Sequence, residues 1–434
     1  MRWESKNDPL LFDESTIQNL VFDPLSVEKN LTAGANLKIL TDPELFEYLD
    51  GQKSKQTIVA VGVSGGKDSD ALAIEVKQYL KSIGFLGELV LIHSDLGMIE
   101  HAESQAQCQA LAGHLGAELI IVRPKLPMLE RWEKRFADNS RRFEKLERVK
   151  LLTPWSSAEM RFCTSEEKVA PITQNLKNRY PGKFIINAVG IRGEESKSRA
   201  EKPIWKTSKL LRTVKDGTSG ADWFPIRDYH KAEILAIHAR ENFPLHPAYA
   251  RGNSRVSCAF CVLSSQGDLE ASLKDERNLL SFRRIVALEL ASTFSFQSNS
   301  YLAEIGFNYL SDDEKREFEI CKAKAARRKI CERMIPAELL FDTDHFPAFQ
   351  PTLEQASILA EVRKKIGELL GLKMSYVTGE AVYHRYSELI TVKEAKEKQR
   401  AIKEAKRSQK SKEKTNGQMT AEVLKTEDKQ QILF

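Results

Sequence analysis

Two short clusters of residues carry the chemistry that this chain could perform. The first is Ser64-Gly-Gly-Lys-Asp-Ser69. Gly65 and Gly66 permit a tight turn and a close backbone approach to a ligand. Ser64 and Ser69 can donate to phosphate oxygens, and Lys67 adds a cation. Asp68 would repel a bare phosphate and is better suited to holding a metal ion. At the start of a helix such a loop presents free N–H groups and the positive end of the macrodipole to an anion. It is not a Walker A loop, because Val61 stands where the first glycine should be and Asp68 follows the lysine. The second cluster is Cys258-Ala-Phe-Cys261, whose spacing lets one turn aim two thiolates at one centre. On spacing alone it is half a zinc site, a redox pair or two ligands of an iron–sulfur cluster.

The elements that must position these residues are legible around them. Thr57-Ile-Val-Ala-Val-Gly-Val63 is a near-continuous apolar, β-branched run, as expected of a strand buried on both faces. The glycine loop follows it directly. Ala71, Leu72, Ile74, Val76, Tyr79, Leu80 and Ile83 then recur at helical spacing up to Gly84. Further strands are expected at 88–93, 118–122 and 184–191, with a helix from about 100 to 115. Strand and helix in alternation predict βαβ units on a mostly parallel, doubly wound α/β sheet. Charged, helical residues 128–180 read as an inserted or crossover segment over the sheet edge. Beyond Pro225 the chain turns helical, at 229–242, across 269–296 and at 312–335.

Composition excludes several classes. The 434 residues are 41% hydrophobic and 29% charged, which suits a globular chain of roughly two or three domains. No apolar run reaches membrane-spanning length, and the start, Met1-Arg-Trp-Glu-Ser, lacks a signal-peptide layout, so a cytosolic setting is expected. Twelve Lys or Arg against seven Asp or Glu from Thr391 onward account for the whole net charge of +5, leaving residues 1–390 neutral. That argues against a histone-like basic surface but leaves room for a local basic groove. Six cysteines in such a chain are not expected to form a disulfide framework.

The glycine loop resembles the PP-loop of N-type ATP pyrophosphatases, which cleave ATP between the α and β phosphates. The resemblance extends through Met160-Arg-Phe-Cys-Thr-Ser-Glu-Glu-Lys168, Val189-Gly-Ile-Arg-Gly-Glu-Glu-Ser196 with Arg199, Trp223-Phe-Pro-Ile-Arg227 and Ser254-Arg-Val-Ser-Cys-Ala-Phe-Cys261. These are similar to the successive motifs of the phosphoadenosine phosphosulfate (PAPS) reductase family over roughly residues 55–265. The resemblance implies an adenine nucleotide alpha hydrolase-like sheet, with Ser64, Gly65, Gly66, Lys67, Asp68 and Ser69 around the phosphates. It places Asp95 at the nucleotide end of the crevice, Lys168, Arg192 and Arg199 on the anion, and Mg²⁺ with ATP. Lys67, Asp68, Arg192 and Arg199 are the candidate catalytic residues. The two arginines can equally be surface partners of Glu194, Glu195 and Glu201.

Family members that reduce adenylyl sulfate hold a 4Fe–4S cluster on a Cys-Cys pair and a later Cys-x-x-Cys. Here Phe162 replaces the first of the pair, leaving Cys163, Cys258 and Cys261. Sulfur-transferring PP-loop enzymes use such an open iron to bind sulfur. The resemblance therefore implies a three-thiolate 4Fe–4S cluster, with zinc as the alternative and small buried side chains as the plain reading. No Glu-Cys-Gly-Leu-His segment follows Cys331, which counts against sulfite-forming reduction. The expected function is ATP-driven activation of an acceptor, DNA or tRNA, for sulfur from a donor such as a cysteine desulfurase. Reduction of PAPS or adenylyl sulfate and a non-catalytic nucleotide-binding subunit are the alternatives. On this reading residues 1–50 are an N-terminal extension, 51–265 the nucleotide-binding domain, 266–390 a helical region and 391–434 a solvated helical or disordered tail. His93 reads as a core histidine, and His246 as either a loop-packing residue or a substrate contact. Arg131-Trp-Glu-Lys-Arg-Phe-Ala-Asp-Asn-Ser-Arg-Arg-Phe143 reads as an amphipathic helix burying Trp132, Phe136 and Phe143, or as a grip on nucleic acid.

Overall fold

The computed structural model describes residues 39–341 and 346–430, with side chains as far as Lys406. Most of the N-terminal extension lies outside the described residues. In chain order the main elements are α1 (Pro43–Leu49), β1 (Thr57–Gly62), α2 (Lys67–Ser82), β2 (Glu88–Ser94), α3 (Ser104–Leu115), β3 (Glu118–Val122), α4 (Met128–Glu144), α5 (Ala170–Arg179), β4 (Phe184–Ala188), β5 (Trp205–Thr207), β6 (Ser219–Trp223) and α6 (Lys231–Arg240). Then come α7 (Gln266–Leu273), α8 (Leu279–Ser292), α9 (Asp312–Arg333), α10 (Leu353–Leu370) and α11 (Gly379–Gln430). The chain divides into two compact units. One is the chain up to Pro127 with Phe162–Cys261; the other is Met128–Arg161 with everything from Val262 onward.

The first unit is built on one six-stranded sheet in the order β3-β2-β1-β4-β6-β5. All neighbours are parallel except β5, which runs antiparallel to β6 at the edge. Along β1 the side chains alternate between two cores. Val59 and Val61 face a cluster with Leu72, Val76, Leu111 and Ile234 from α2, α3 and α6. Ile58 and Ala60 face Val90, Ile92, Ile185 and Leu176, the last from α5. Helices on both faces explain why β1 reads as an unbroken apolar run. β1 lies between β2 and β4, so the chain turns outward in both directions from it. The crevice between the C-terminal ends of β1 and β4 is therefore the topological switch point, where open α/β sheets bind ligands.

The second unit packs α4 with the C-terminal helices. Phe143, Leu146 and Val149 share a core with Leu359, Val362 and Ile366 of α10 and with Val382 and Tyr386 of α11. Trp132, Trp155 and Phe296 meet edge-to-face at 5.2–5.9 Å between ring centroids. Arg284 of α8 reaches Glu130 and Glu133 of α4 at 2.8 Å each. The segment expected as a crossover thus parts at Arg161: its first portion belongs to this helical unit, and α5 to the sheet. Glu289 of α8 is fully buried and accepts the backbone N–H groups of Phe296, Leu302 and Ala303 at 2.7–2.9 Å. The tail from Thr391 continues α11 as helix to Gln430, exposed along most of its described side chains.

Candidate functional site

The turn after β1 is shaped by its glycines. Gly65 has φ +74°, and a Cβ there would lie 3.1 Å from the Ser104 carbonyl oxygen and 3.3 Å from both Gln107 Cβ and His246 Cδ2. Only glycine fits that backbone and that space. Gly66 caps α2, accepting the N–H groups of Ser69 and Asp70 at 3.0 and 3.1 Å. Ser69 Oγ also donates to the Gly66 carbonyl at 2.8 Å and accepts the Ser64 N–H at 3.2 Å. The Lys67 N–H donates to the Tyr249 hydroxyl at 3.1 Å. Among the described residues, the N–H groups of Gly65, Gly66 and Asp68 have no hydrogen-bond partner. Three open amides at a helix start, on the crevice side of a switch point, are what an anion needs.

The loop after β4 closes on the same place. A Cβ on Gly190 would lie 3.3 Å from the Asp68 carbonyl oxygen. Arg192 is buried, at 4% exposure, and its Nε meets Asp68 Oδ1 at 2.5 Å while Nη1 pairs with Glu194. Lys67, at 5% exposure, places Nζ 3.3 Å from the other Asp68 oxygen and 5.3 Å from the Tyr249 ring centre. Asp68 is thus clamped between two buried cations, one from each loop of the crevice. Arg199 pairs with Glu195 one helical turn away, the partnership open to it in the sequence. Asp95, just past β2, accepts from Arg123 Nε at 2.7 Å and from the Gly97 N–H at 2.9 Å. Burial pushes its pKa up, but those two donors outweigh it and hold the carboxyl below its usual value.

Lys168 stands on a π-turn, Ser165–Val169, that leads into α5. Such wide turns re-aim side chains and recur at functional sites. Burial lowers the Lys168 pKa, but Cys258, Glu100, Cys261 and Cys163 around the amine more than reverse that and raise it. Cys163, Cys258 and Cys261 therefore share one electrostatic neighbourhood, although ninety-five residues separate the first from the second in the chain. Cys258 is tied down by a bridge between its backbone and Glu100, with the Ala259 N–H on the Ile99 carbonyl at 2.8 Å. Burial pushes its thiol up to about 12, against the pull of Lys168. Among the described residues, no three His, Cys, Asp or Glu are grouped so as to hold a metal ion. The three thiols share the surroundings of Lys168 but do not close around a metal in this arrangement.

Three contributors, Asp70, Tyr249 and Gln107, were not singled out in the sequence. Asp70 is fully buried one residue past the loop and accepts from Ser69 Oγ and Gln107 Nε2 at 3.2 Å each. Burial, the largest effect, pushes its pKa up to about 7. Tyr249 and Gln107 reach the loop from distant elements, which no local pattern announces. His246 packs its ring under Gly65, accepts the Ala248 N–H on Nδ1 at 3.1 Å and has Nε2 3.4 Å from Ser104 Oγ. His93 is buried between the Val63 carbonyl at 3.0 Å and Glu100 at 3.1 Å, with Cys108 Sγ at 3.8 Å.

Residues 58–264 match the family described as the phosphoadenosine phosphosulfate reductase domain. An uncharacterized 37.8 kDa protein of Escherichia phage 186 is 24% identical over 247 residues, covering 50% of this chain and 70% of the phage protein. An uncharacterized protein of Methanocaldococcus jannaschii is 24% identical over 254 residues, covering 57% of this chain and 46% of its own length. Among solved structures, a phosphoadenylyl-sulfate reductase of Candida auris in complex with phosphate is 13% identical, with TM-score 0.31, 51% of this chain covered and 97% of that one. A U34-tRNA thiolase of Methanococcus maripaludis, solved with its 4Fe–4S cluster, is 14% identical, with TM-score 0.29, 60% of this chain covered and 83% of that one.

Proposed function

We propose, on the premise that residues 58–264 are a phosphoadenosine phosphosulfate reductase-family domain, that this chain is a PP-loop ATP pyrophosphatase that activates a nucleic-acid acceptor for sulfur transfer. The observation that carries the proposal is the crevice itself: the open N–H groups of Gly65, Gly66 and Asp68 beside the buried cations Lys67 and Arg192. An acceptor oxygen attacks the α-phosphorus of ATP, the bond from that phosphorus to the bridging oxygen breaks, and pyrophosphate leaves. The loop amides and Lys67 face the charge that develops on the leaving group. Arg192 offers its fork to the nucleotide once the anion takes over its pairing with Asp68. Mg²⁺ needs few protein carboxylates when phosphates supply the rest. Asp68, in the loop itself, is the residue that would hold it, and the ion would supply positive charge that offsets the charge of the phosphates.

A persulfide sulfur carried on one of the cysteines then attacks the adenylylated acceptor and AMP departs; a second cysteine thiol cleaves the remaining S–S bond, forming a disulfide and leaving the sulfur on the acceptor. Cys163, Cys258 and Cys261 around Lys168 are the residues assigned to sulfur handling, with a cysteine desulfurase-type enzyme as the donor. A 4Fe–4S cluster on these thiols is the form that the resemblance implies, and it would require them to draw together from their present arrangement. Zinc is the competing occupant, which metal analysis of anaerobically purified protein distinguishes.

The test is product analysis. ATP with Mg²⁺ and nucleic acid should yield AMP and pyrophosphate, and Lys67→Met should lower kcat/KM about 10²–10³-fold, as loss of one charge-stabilising donor does. ADP and inorganic phosphate as products would reject the proposal. Sulfite released from adenylyl sulfate with a thiol donor would replace it by reduction.

A further inference from the structure

A second set of cations lies in the helical unit, on the segment Met128–Arg161. That segment holds nine Lys or Arg against six Asp or Glu, in a chain whose first 390 residues are otherwise balanced. Two of the six acids, Glu130 and Glu133, are already taken by Arg284. On α4, Arg131, Arg135 and Arg142 fall at spacings of four and seven, so they form one stripe. The stripe borders the buried face that carries Trp132, Asn139 and Phe143.

Past α4 the chain reverses at Leu146, a fully buried residue in the left-handed region with φ +48°. The reversal returns Arg148 toward the stripe, with the Glu147 N–H on the Arg142 carbonyl at 2.8 Å. Burial, followed by the charges of Arg142 and Arg135, lowers the Arg148 pKa, so the three cations share one electrostatic neighbourhood. Like charges this close are held at a cost that a bound anion would relieve.

Two of the buried polar atoms on this segment are donors without acceptors. Arg148 Nε is buried and has no partner among the described residues. Asn139, at 5% exposure, lies one helical turn from both Arg135 and Arg142, and its Nδ2 has no partner either. Arg135 Nε is held by the Thr153 carbonyl at 3.1 Å, and Arg142 leans on Glu147 at 3.7 Å. Buried donors left without acceptors are costly, and a phosphate supplies acceptors on several sides at once.

We infer that Arg135, Arg142 and Arg148, with the Asn139 amide beside them, form the contact for the phosphodiester backbone of the nucleic-acid acceptor. The choice of nucleic acid rests on the function proposed above, while the site lies in a different unit from the PP-loop and is tested separately. Its chemistry is phosphate recognition without base reading, so it fixes position rather than sequence.

The experiment uses the full-length protein and fluorescence anisotropy with labelled single-stranded DNA, duplex DNA and an RNA hairpin, between about 50 and 200 mM KCl. Binding to at least one probe is expected. R142Q/R148Q should then reduce the slope of log affinity against log salt by about 2, one for each lost phosphate contact. R142K/R148K, which keeps both charges, should restore most of that slope. Preference among the probes tells DNA from RNA as the acceptor, while support for the site comes from the lowered slope of R142Q/R148Q.

Three results would overturn the inference. One is binding of no probe, or of inorganic phosphate alone. Another is an R142Q/R148Q variant that keeps the wild-type slope while K398Q/K403Q on α11 loses it. The third is an R142K/R148K variant as impaired as R142Q/R148Q with an unaltered thermal midpoint. ATP cleavage to AMP and pyrophosphate, measured on the same variants without nucleic acid, separates failure here from failure of the PP-loop reading.

Discussion

Replacing Gly65 with alanine isolates what the crevice demands of its backbone. The residue has φ +74°, where an L side chain costs about 1–2 kcal/mol. The new methyl would also sit 3.1 Å from the Ser104 carbonyl oxygen and 3.3 Å from Gln107 Cβ and His246 Cδ2, a crowding of the kind that costs about 1–3 kcal/mol. The sum, roughly 2–5 kcal/mol, can be resolved by comparison with three other glycines in the same unit. Gly84 has φ +69° with nothing within 4 Å, so Gly84→Ala carries only the backbone cost of about 1–2 kcal/mol. Gly66 has an ordinary φ of −85° and one close contact, 3.2 Å to the Val256 carbonyl oxygen, so Gly66→Ala carries only crowding. Gly113 lies inside α3 with open space around it, and Gly113→Ala should stabilise by about 0.4–1 kcal/mol. Urea denaturation gives the four stabilities, and titration calorimetry with ATP gives the ligand effect. Gly65→Ala should rank last in stability and lose nucleotide binding, whereas Gly84→Ala should bind ATP normally. A Gly65→Ala protein as stable as Gly84→Ala, with unchanged ATP affinity, would refute the close-approach argument and the anion cradle with it.

Two further predictions concern buried carboxyl groups. Asp70 has its pKa raised to about 7 by burial, against an ordinary value near 4, so the folded state holds its proton more tightly than the unfolded chain. The stability this group permits is therefore fully present below about pH 4, falls as pH rises to about 7, and is level above that. Asp70→Asn should flatten this window, which urea midpoints measured at intervals from pH 5 to pH 8 would reveal as a smaller decline than in the wild type. Glu289→Leu should destabilise the helical unit by several kcal/mol, since it strands the N–H groups of Phe296, Leu302 and Ala303 at about 1–3 kcal/mol each. Calorimetry should show the transition of that unit moved to lower temperature while ATP binding at the PP-loop persists.

How much of this was legible beforehand depended on whether a property was local. β1 and β2 announce themselves by β-branched apolar runs because both of their faces are buried, and α2 by its apolar spacing between the glycine loop and Gly84. β6, Ser219-Gly-Ala-Asp-Trp223, carries no such run. It is a strand because its backbone pairs with β4, and β5 exists only by pairing with β6. The glycine loop could be read from six adjacent residues. Its supports could not: Tyr249 lies 182 residues from Lys67, and Gln107 lies 37 from Asp70. The ion pairs of Arg192 and Arg199 were open in the sequence as partners among Glu194, Glu195 and Glu201. The buried clamp of Asp68 by Arg192 was not, since it depends on two strands ending side by side. The division of residues 128–180 between two units was equally hidden, because an amphipathic helix shows that it will bury a face without saying against what.

The way the two units share the chain has a consequence for how the protein is made. Residues 128–161 leave the ribosome long before α10, yet Phe143, Leu146 and Val149 share a core whose other members, Leu151 apart, all lie beyond residue 290. β4, the inner neighbour of β1, also follows that segment in synthesis. A nascent chain must therefore complete its sheet while a greasy helix waits uncovered in the middle of it, which makes this stretch the natural target for a chaperone during translation.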